Sequence, residues 1–432
     1  MEFIKTLSKE LQPKLVELRR DFHKYAELGW CEFRTASIVA KTLDGLGFKL
    51  LLGEDAMHID ENLAKCLPSE DILAAEMSRA ESQGADKHYL NKMKGGKTGV
   101  VGILDTGKPG NVIALRFDMD ALPIVEPSSP THAPFAKEYA SVNHGVMHAC
   151  AHDGHTAIGL GVAMVLNEIK ENLTGKIKLI FQPAEEGVPG AARAMIKAGV
   201  VDDVSHIIGF HLGLASESGT LFCESYDFKA FTGYRANFKG KAAHAGVNPE
   251  EGKSALLAAA AATMAMQGIY RHGKGASRIN IGAFHSGTSS NIVPDAAALK
   301  LETRGETTEI NEYMKKEVYR ILNATASMYD VAVEIDEVGC AISGKCDENL
   351  VSLTRKTAQN LAIFDKIENT LPLNASEDFT YFMQHIQNAG GCASHFIIGA
   401  NLAANHHNEF FEFDDGVLSN AVALLCGMAV SL

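Results

Sequence analysis

Three mostly apolar runs in this chain end at, or shortly before, side chains that can hold a metal ion. Ile177–Phe181 leads into Gln182-Pro183-Ala184-Glu185-Glu186-Gly187, Ile207–Phe210 ends on His211, and the run at 394–399 leads toward His406-His407-Asn408-Glu409. Short apolar runs bounded by turn residues read as strands buried on both faces, as in a parallel sheet covered by helices. In open sheets of that kind, ligands collect outside the carboxyl ends of the strands. Acids and imidazoles clustered at strand ends are not what a solvated surface produces. The expected fold is therefore α/β, with a mainly parallel sheet and a polar site at one end of it.

The rest of the chain fits around that sheet. Residues 1–47 read as helical, with Leu11, Leu15, Leu18 and Phe22 on one face and Gly45 and Gly47 closing the segment. Residues 54–94 are rich in Glu, Lys, Ala and Met and read as a helical insertion. Lys97–Leu104 and Val112–Phe117 flank the turn sequence Asp105-Thr106-Gly107-Lys108-Pro109-Gly110, which predicts a hairpin. A helix over 155–172, a strand over 177–182, a helix over 189–198 stopped by Gly199 and a strand over 206–211 follow. Near residue 228 the pattern changes. Strand 231–238, helix 253–270, strands 278–284 and 296–303, helix 307–326 and strand 331–338 give the order βαββαβ, the ferredoxin-like arrangement. We expect residues 228–341 to be a module inserted into a domain formed by 1–227 and 342–432.

Charge and composition exclude other classes. A chain of 432 residues is long enough for two domains and a substantial core. A net charge of −13 without a basic stripe excludes a nucleic-acid binder. No apolar run reaches the length of a membrane span; Leu256–Met266 is Ala-rich but too short. The opening Met1-Glu2-Phe3-Ile4-Lys5 lacks the basic-then-apolar layout of a signal peptide. The eight cysteines are scattered, with no Cys-x-x-Cys pair, which fits reduced thiols. The expected location is the cytoplasm.

His148-Ala149-Cys150-Ala151-His152-Asp153-Gly154-His155 carries the densest chemistry. Cys150 and His152 are two apart, so in a turn they can face the same way, whereas in a helix they would not. Thiolate and imidazole together suit zinc rather than magnesium or calcium. With Glu186, His211 and His407 they make five candidate ligands, more than one four-coordinate ion needs. Two ions sharing a bridging group, Cys150 or a water, account for the surplus. Hydrolysis then needs a free base beside the activated water, and Glu185, next to Glu186, is the candidate. Asp118 and Asp120 end another strand and share a face; they read as orienting an imidazole or neutralising Arg116. His23, His144, His148 and His155 are candidates for hydrogen-bonded structural roles. In the inserted module, His244 lies among small residues in Gly240–Gly246, while Asn291 and Arg304 could bind a carboxylate or could equally be ordinary surface groups.

Taken together, these segments resemble the M20 metallopeptidase family and, in particular, its amidohydrolase branch, which has a Cys-His motif where other members use Asp. The resemblance rests on Arg116–Pro123 (RFDMDALP), Met147–His155 (MHACAHDGH), Gln182–Gly187 (QPAEEG), Gly209–Gly213 (GFHLG), Lys241–Gly246 (KAAHAG), Asn291–Pro294 (NIVP) and His407. It implies a zinc-peptidase-like catalytic domain with an inserted dimerisation or lid domain. It further implies two divalent ions, manganese or zinc, on Cys150, His152, Glu186, His211 and His407, with Glu185 as general base. His244 would stabilise the oxyanion in a partner chain's site, and Asn291 and Arg304 would hold the substrate's carboxylate end. The spacing to Phe411 and Phe413 favours His407 over His406. The family usually has Gly where Ala151 stands. The activity implied is cleavage of the amide between an acyl or aromatic group and an amino acid, by a homodimer or a heterodimer with a related subunit. The alternatives are a hippurate-type amidohydrolase or dipeptidase, and a metal-binding subunit whose partner does the chemistry.

Overall fold

The computed structural model describes residues 1–187, 190–214 and 216–432. The chain divides into two compact units. Met1–Tyr226, Lys345–Leu373 and Asp378–Leu432 make the first, and Asp227–Gly344 with Asn374–Glu377 the second.

The first unit opens with three helices, α1 (Glu2–Glu10), α2 (Gln12–Lys24) and α3 (Phe33–Gly45). The heptad-like spacing of Leu15, Leu18 and Phe22 puts them on one buried face of α2, together with Arg19 and His23. A short strand β1 (Lys49–Leu52) precedes the helical insertion, built of α4 (Glu61–Ala64), α5 (Glu70–Ser82) and α6 (Lys87–Leu90). Each of these three helices starts on a side-chain cap, from Asp60, Ser69 and Asp86 respectively. Strands β2 (Val100–Asp105) and β3 (Val112–Asp118) follow, then α7 (Ala133–Ala136), α8 (His152–Glu168), β4 (Lys176–Gln182), α9 (Ala192–Lys197), β5 (His206–Leu212) and β6 (Thr220–Tyr226). The expected helix start at 189 lies outside the described residues, and the helix runs over α9.

The second unit contains β7 (Ala230–Lys239), α10 (Ala255–Gln267), β8 (Ser277–Ser286), β9 (Ala296–Gly305), α11 (Thr308–Met328) and β10 (Ala332–Ala341). Its four strands form one antiparallel sheet in the order β10-β7-β9-β8. That order, with two helices packed on the strands, is the ferredoxin-like topology. Alanines 255, 258, 259 and 262 are the buried face of α10, small enough to let the helix lie close on Tyr234, Phe238 and Leu299.

The chain then returns to the first unit as α12 (Glu348–Leu361), β11 (Lys366–Pro372), α13 (Phe379–Asn388), β12 (Cys392–Ile398), the small pair β13 (Leu402–Ala404) and β14 (Glu412–Phe413), and α14 (Leu418–Ser431). The eight-stranded sheet has the order β1-β2-β4-β3-β5-β12-β6-β11. Its centre is parallel, β4-β3-β5-β12, and the register sets Asp118 level with Gln182 and Ile397 level with His211. The carboxyl ends of β3, β4 and β5 therefore open at one edge of the sheet. Among the described residues no helix is long and apolar enough to cross a membrane.

The expected hairpin is not formed. Strand β4 lies between β2 and β3, antiparallel to the first and parallel to the second. Six of the seven residues of β4 are buried, so it needs a neighbour on both sides, and a two-strand hairpin would have left it only one. The 105–111 turn instead wraps the start of β4, where Thr106 N–H donates to the Gly175 carbonyl and Lys176 N–H to that of Asn111.

Candidate metal centre

Helix α8 delivers the densest motif to the open edge. It begins at His152, after Ala151 in the left-handed conformation (φ +66°), so Cys150 stands just outside the helix and His152 just inside. That backbone is one glycine adopts without strain. The helix can sit close on the sheet because its buried face carries Gly159, where a Cβ would lie 2.6 Å from Phe181.

The five expected ligands come together, but not as one cluster. Donor atoms of Cys150, Glu186 and His407 lie within 4.8 Å of one another, as do those of His152, Glu185 and Glu186. Cys150 also groups with His211 and His406, its sulfur 3.5 Å from His211 Nε2. Glu186 therefore joins the two sides of the motif, and among the described residues Cys150 and His152 share no single donor group. His406 reaches the centre too, although its Nε2 bonds the Leu212 carbonyl at 3.1 Å. His407 Nε2 lies 3.0 Å from Glu186 Oε1.

Asp118 bonds His155 Nδ1 through Oδ1 at 2.5 Å and pairs with Arg116 through Oδ2; His152 Nε2 is 3.7 Å away. His155 Nε2 accepts the Leu212 N–H at 3.2 Å. Both ring nitrogens of His155 are thus engaged, one by the Asp118 carboxylate and one by the backbone of β5. Arg116 also reaches Asp378 at 3.0 Å and Gln182 at 2.9 Å, tying the ends of β3 and β4 to α13.

By sequence Asp120 reads alongside Asp118, but the geometry separates them. Asp120 Oδ1 accepts the backbone N–H of Glu185 and Oδ2 that of Glu186, both at 2.9 Å. His152 Nδ1 lies 3.0 Å from the Asp120 carbonyl and 3.3 Å from its Oδ1. One residue thus shapes the Glu-Glu loop and holds an imidazole. Its signal is the i, i+2 pair at the end of a strand, which cannot say what each carboxylate meets.

Electrostatics tests whether these residues suit divalent cations. Burial, then Glu186 and Glu185, push the Cys150 thiol well above its usual range. Burial disfavours charge on His152, yet Asp118, Asp120 and Glu186 raise it to about 10. Burial likewise opposes charge on Glu186, but His407 and His152 hold its carboxyl below the ordinary value. The acidic groups around Cys150 and His152 raise the proton affinity of both donors. Divalent cations replace those protons on the same donors, and the mix of sulfur, nitrogen and oxygen suits a transition metal. The residues fit the group.

The remaining candidates lie elsewhere. His144 is exposed. His23 is buried between Asp153 (2.9 Å) and Glu126 (3.0 Å). His148 is buried with neither ring nitrogen hydrogen-bonded among the described residues. In the second unit, the 241–246 loop pairs with 291–293: Ala245 N–H donates to the Asn291 carbonyl at 3.0 Å and Val293 N–H to that of Ala243 at 2.9 Å. His244 and Asn291 are therefore neighbours on one exposed corner of that unit. Arg304, on β9, pairs with Glu302 at 2.9 Å and stacks over Phe231.

Comparison with known proteins places the chain in a family. The chain is 46% identical over 432 residues to indole-3-acetyl-aspartic acid hydrolase of Enterobacter agglomerans, covering 100% of this chain and 98% of that one. It is also 46% identical over 432 residues to one subunit of the p-aminobenzoyl-glutamate hydrolase of Escherichia coli K12, with the same coverage. A solved dinuclear metal-binding peptidase of family M20 from Bacillus subtilis superposes with a TM-score of 0.70 at 25% identity, covering 98% of each chain. The sequence profile of Peptidase family M20/M25/M40 matches residues 114–431, which include the Cys-His motif, the Glu-Glu loop and both C-terminal histidines, and the chain belongs to that family.

Proposed function

We propose that this protein is a metal-dependent amidohydrolase that cleaves the amide between an acyl or aroyl group and an amino acid, with p-aminobenzoyl-glutamate as its first substrate. The observation that carries this reading is the grouping of Glu185, Glu186 and His152 within 4.8 Å, joined through Glu186 to Cys150 and His407. Cys150, His152, Glu186, His211 and His407 would hold two divalent ions, manganese or zinc, which would supply Lewis acidity when bound. Glu185 takes a proton from the attacking water and gives it to the departing nitrogen, so that hydroxyl adds to carbon as the carbon–nitrogen bond breaks. For p-aminobenzoyl-glutamate the products are p-aminobenzoate and glutamate. The family resemblance supports three further roles: Asn291 and Arg304 hold the substrate's carboxylate end, and His244 stabilises the oxyanion in a partner chain's site. Eight scattered cysteines with no Cys-x-x-Cys pair fit a reducing cytoplasm. The second unit serves dimerisation, with an identical chain or, since the E. coli relative is one subunit of its enzyme, with a related one.

A second reading keeps the chemistry and changes the acyl group. The indole-3-acetyl-aspartic acid hydrolase is as similar to this chain as the p-aminobenzoyl-glutamate enzyme. The test is hydrolysis of p-aminobenzoyl-glutamate, indole-3-acetyl-aspartate and hippurate by the purified chain, stripped of metal and reloaded with Mn²⁺ or Zn²⁺. Metal-dependent release of p-aminobenzoate at the highest kcat/KM supports the first reading. Preference for the indole amide replaces it with the second. Turnover of none of them by the chain alone, with metal bound, moves the activity to a complex with a second subunit.

A further inference from the structure

The Glu-Glu loop is held by more than Asp120. Three successive backbone N–H groups, of Ala184, Glu185 and Glu186, point at two buried carboxylates. Ala184 N–H donates to Glu32 Oε1 at 2.7 Å, and the next two donate to Asp120. The other oxygen of Glu32 accepts the Thr98 hydroxyl at 2.8 Å. Glu32, Thr98 and Ala184 are fully buried. Ala184 has φ +51°, a left-handed backbone that an alanine keeps only where its surroundings impose it. The surroundings are close: a Cβ on Gly29 would lie 3.0 Å from Ala184 and 3.4 Å from Asp120 Oδ2. The 27–32 segment is itself tied down, since the Glu27 carbonyl accepts the Ala121 N–H at 2.8 Å.

We propose that Glu32 is a positioning residue for the general base: by accepting the Ala184 N–H it sets the direction in which the Glu185 carboxylate leaves the loop. The inference rests on the reading of Glu185 as base. Asp120 touches the loop and His152 alike, so a change there disturbs metal donors and base together. Glu32 bonds the loop one residue before Glu185, and the groups it bonds, Ala184 N–H and the Thr98 hydroxyl, are not metal donors. Its length matters rather than its charge, because both oxygens serve as fixed hydrogen-bond acceptors in a buried position beside the Asp120 carboxylate. Burial and Asp120 raise its carboxyl well above the usual carboxylate range, which agrees with a role that a neutral group can fill.

The test compares Glu32→Asp with Glu32→Gln in the full metal-loaded chain. Aspartate withdraws the carboxyl by about one bond length, ~1.5 Å, and loses Ala184. Glutamine keeps the length, accepting from Ala184 through its carbonyl and donating to Thr98 through its amide. The expected result for Glu32→Asp is a fall in kcat of about 10- to 100-fold, with KM changed less than about 2-fold and metal content unchanged. Glu32→Gln is expected to stay within about 3-fold of wild type. Hydrogen exchange of a peptide spanning 182–187 is expected to be about 10-fold faster in Glu32→Asp and unchanged in Glu32→Gln. Wild-type kcat and wild-type exchange in Glu32→Asp overturn the proposal. So does loss of metal from both variants, which would make Glu32 a charge partner of the centre. Should Glu32→Asp fail to fold, Thr98→Val is read in its place: an unchanged kcat overturns the proposal, and a loss of about 3- to 10-fold supports it. If the wild-type chain hydrolyses none of the amides above, the functional reading fails, while the exchange of 182–187 still decides whether Glu32 holds the loop.

Discussion

His407 and Glu186 meet across the centre, Nε2 to Oε1 at 3.0 Å. The loop carrying the histidine is fixed by its own backbone: His407 N–H donates to the Ala149 carbonyl at 2.8 Å, one residue before Cys150. Its neighbour His406 is differently placed, with Nε2 on the Leu212 carbonyl and its ring packed on Phe411 at 4.9 Å.

That difference predicts unequal effects. His407→Asn is expected to lower metal content and to cut kcat/KM by about 100-fold or more. His406→Asn is expected to keep two ions per chain. Metal analysis of both variants checks this, and a loss of metal confined to His406→Asn would exchange the two assignments.

Glu185→Gln keeps the shape of the loop, since Asp120 holds it through the backbone N–H, and removes the proposed base. Turnover is expected to fall by about 100-fold or more with metal content near normal. Activity near wild type would show that another group takes the proton.

Removing the metals that these residues are proposed to hold leaves the carboxylates of Glu185 and Glu186 close to the Cys150 thiol, which they push well above its usual range. Chelation is therefore expected to lower the melting temperature, and added Mn²⁺ or Zn²⁺ to restore it in a concentration-dependent way. Because bound thiolate and imidazole must be deprotonated, metal affinity is expected to weaken as pH falls. Thermal shift assays over metal concentration and pH measure both.

His23 predicts a loss of stability in alkali. Burial lowers its pKa, but hydrogen bonds to Asp153 and Glu126 outweigh this and raise it from 6.5 to about 9. The folded state therefore binds the proton more tightly than the unfolded chain. The stabilisation is complete below the unfolded value and is lost as pH rises through about 9; its size is on the order of 3 kcal/mol. Urea unfolding between about pH 6 and 10 is expected to show this decline in the wild type and a flatter profile in His23→Gln.

Gly159→Ala tests how closely α8 rides on the sheet. The new Cβ would lie 2.6 Å from Phe181 and 2.8 Å from Phe117, two rings packed in the core. Overpacking is expected to cost about 1–3 kcal/mol, read as a shift of the urea midpoint.

The class of fold, and most of the residues that the structure groups as candidate donors, are legible in the chain itself. Buried strands such as Ile177–Phe181 can be read because mostly apolar runs, here broken only by Lys178, need cover on both faces. Ligand types such as Cys150 and His152 can be read because few side chains bind a transition metal. Strand order is not legible: 97–104 and 112–117 look like a hairpin locally, and only the need to bury both edges of β4 separates them. The edge strand β11 is half-exposed and polar, with no apolar run to mark it.

How the donors divide is a matter of tertiary packing. Glu186 joins His152 to Cys150 because the loop after β4, the start of α8 and the segment before α14 converge at one sheet edge. The separate duties of Asp118 and Asp120, and the hold of Glu32 on Ala184, depend on which backbone N–H groups each carboxylate faces. Those contacts join residues far apart in the chain. Their partners are chosen by packing and register, which no local spacing records.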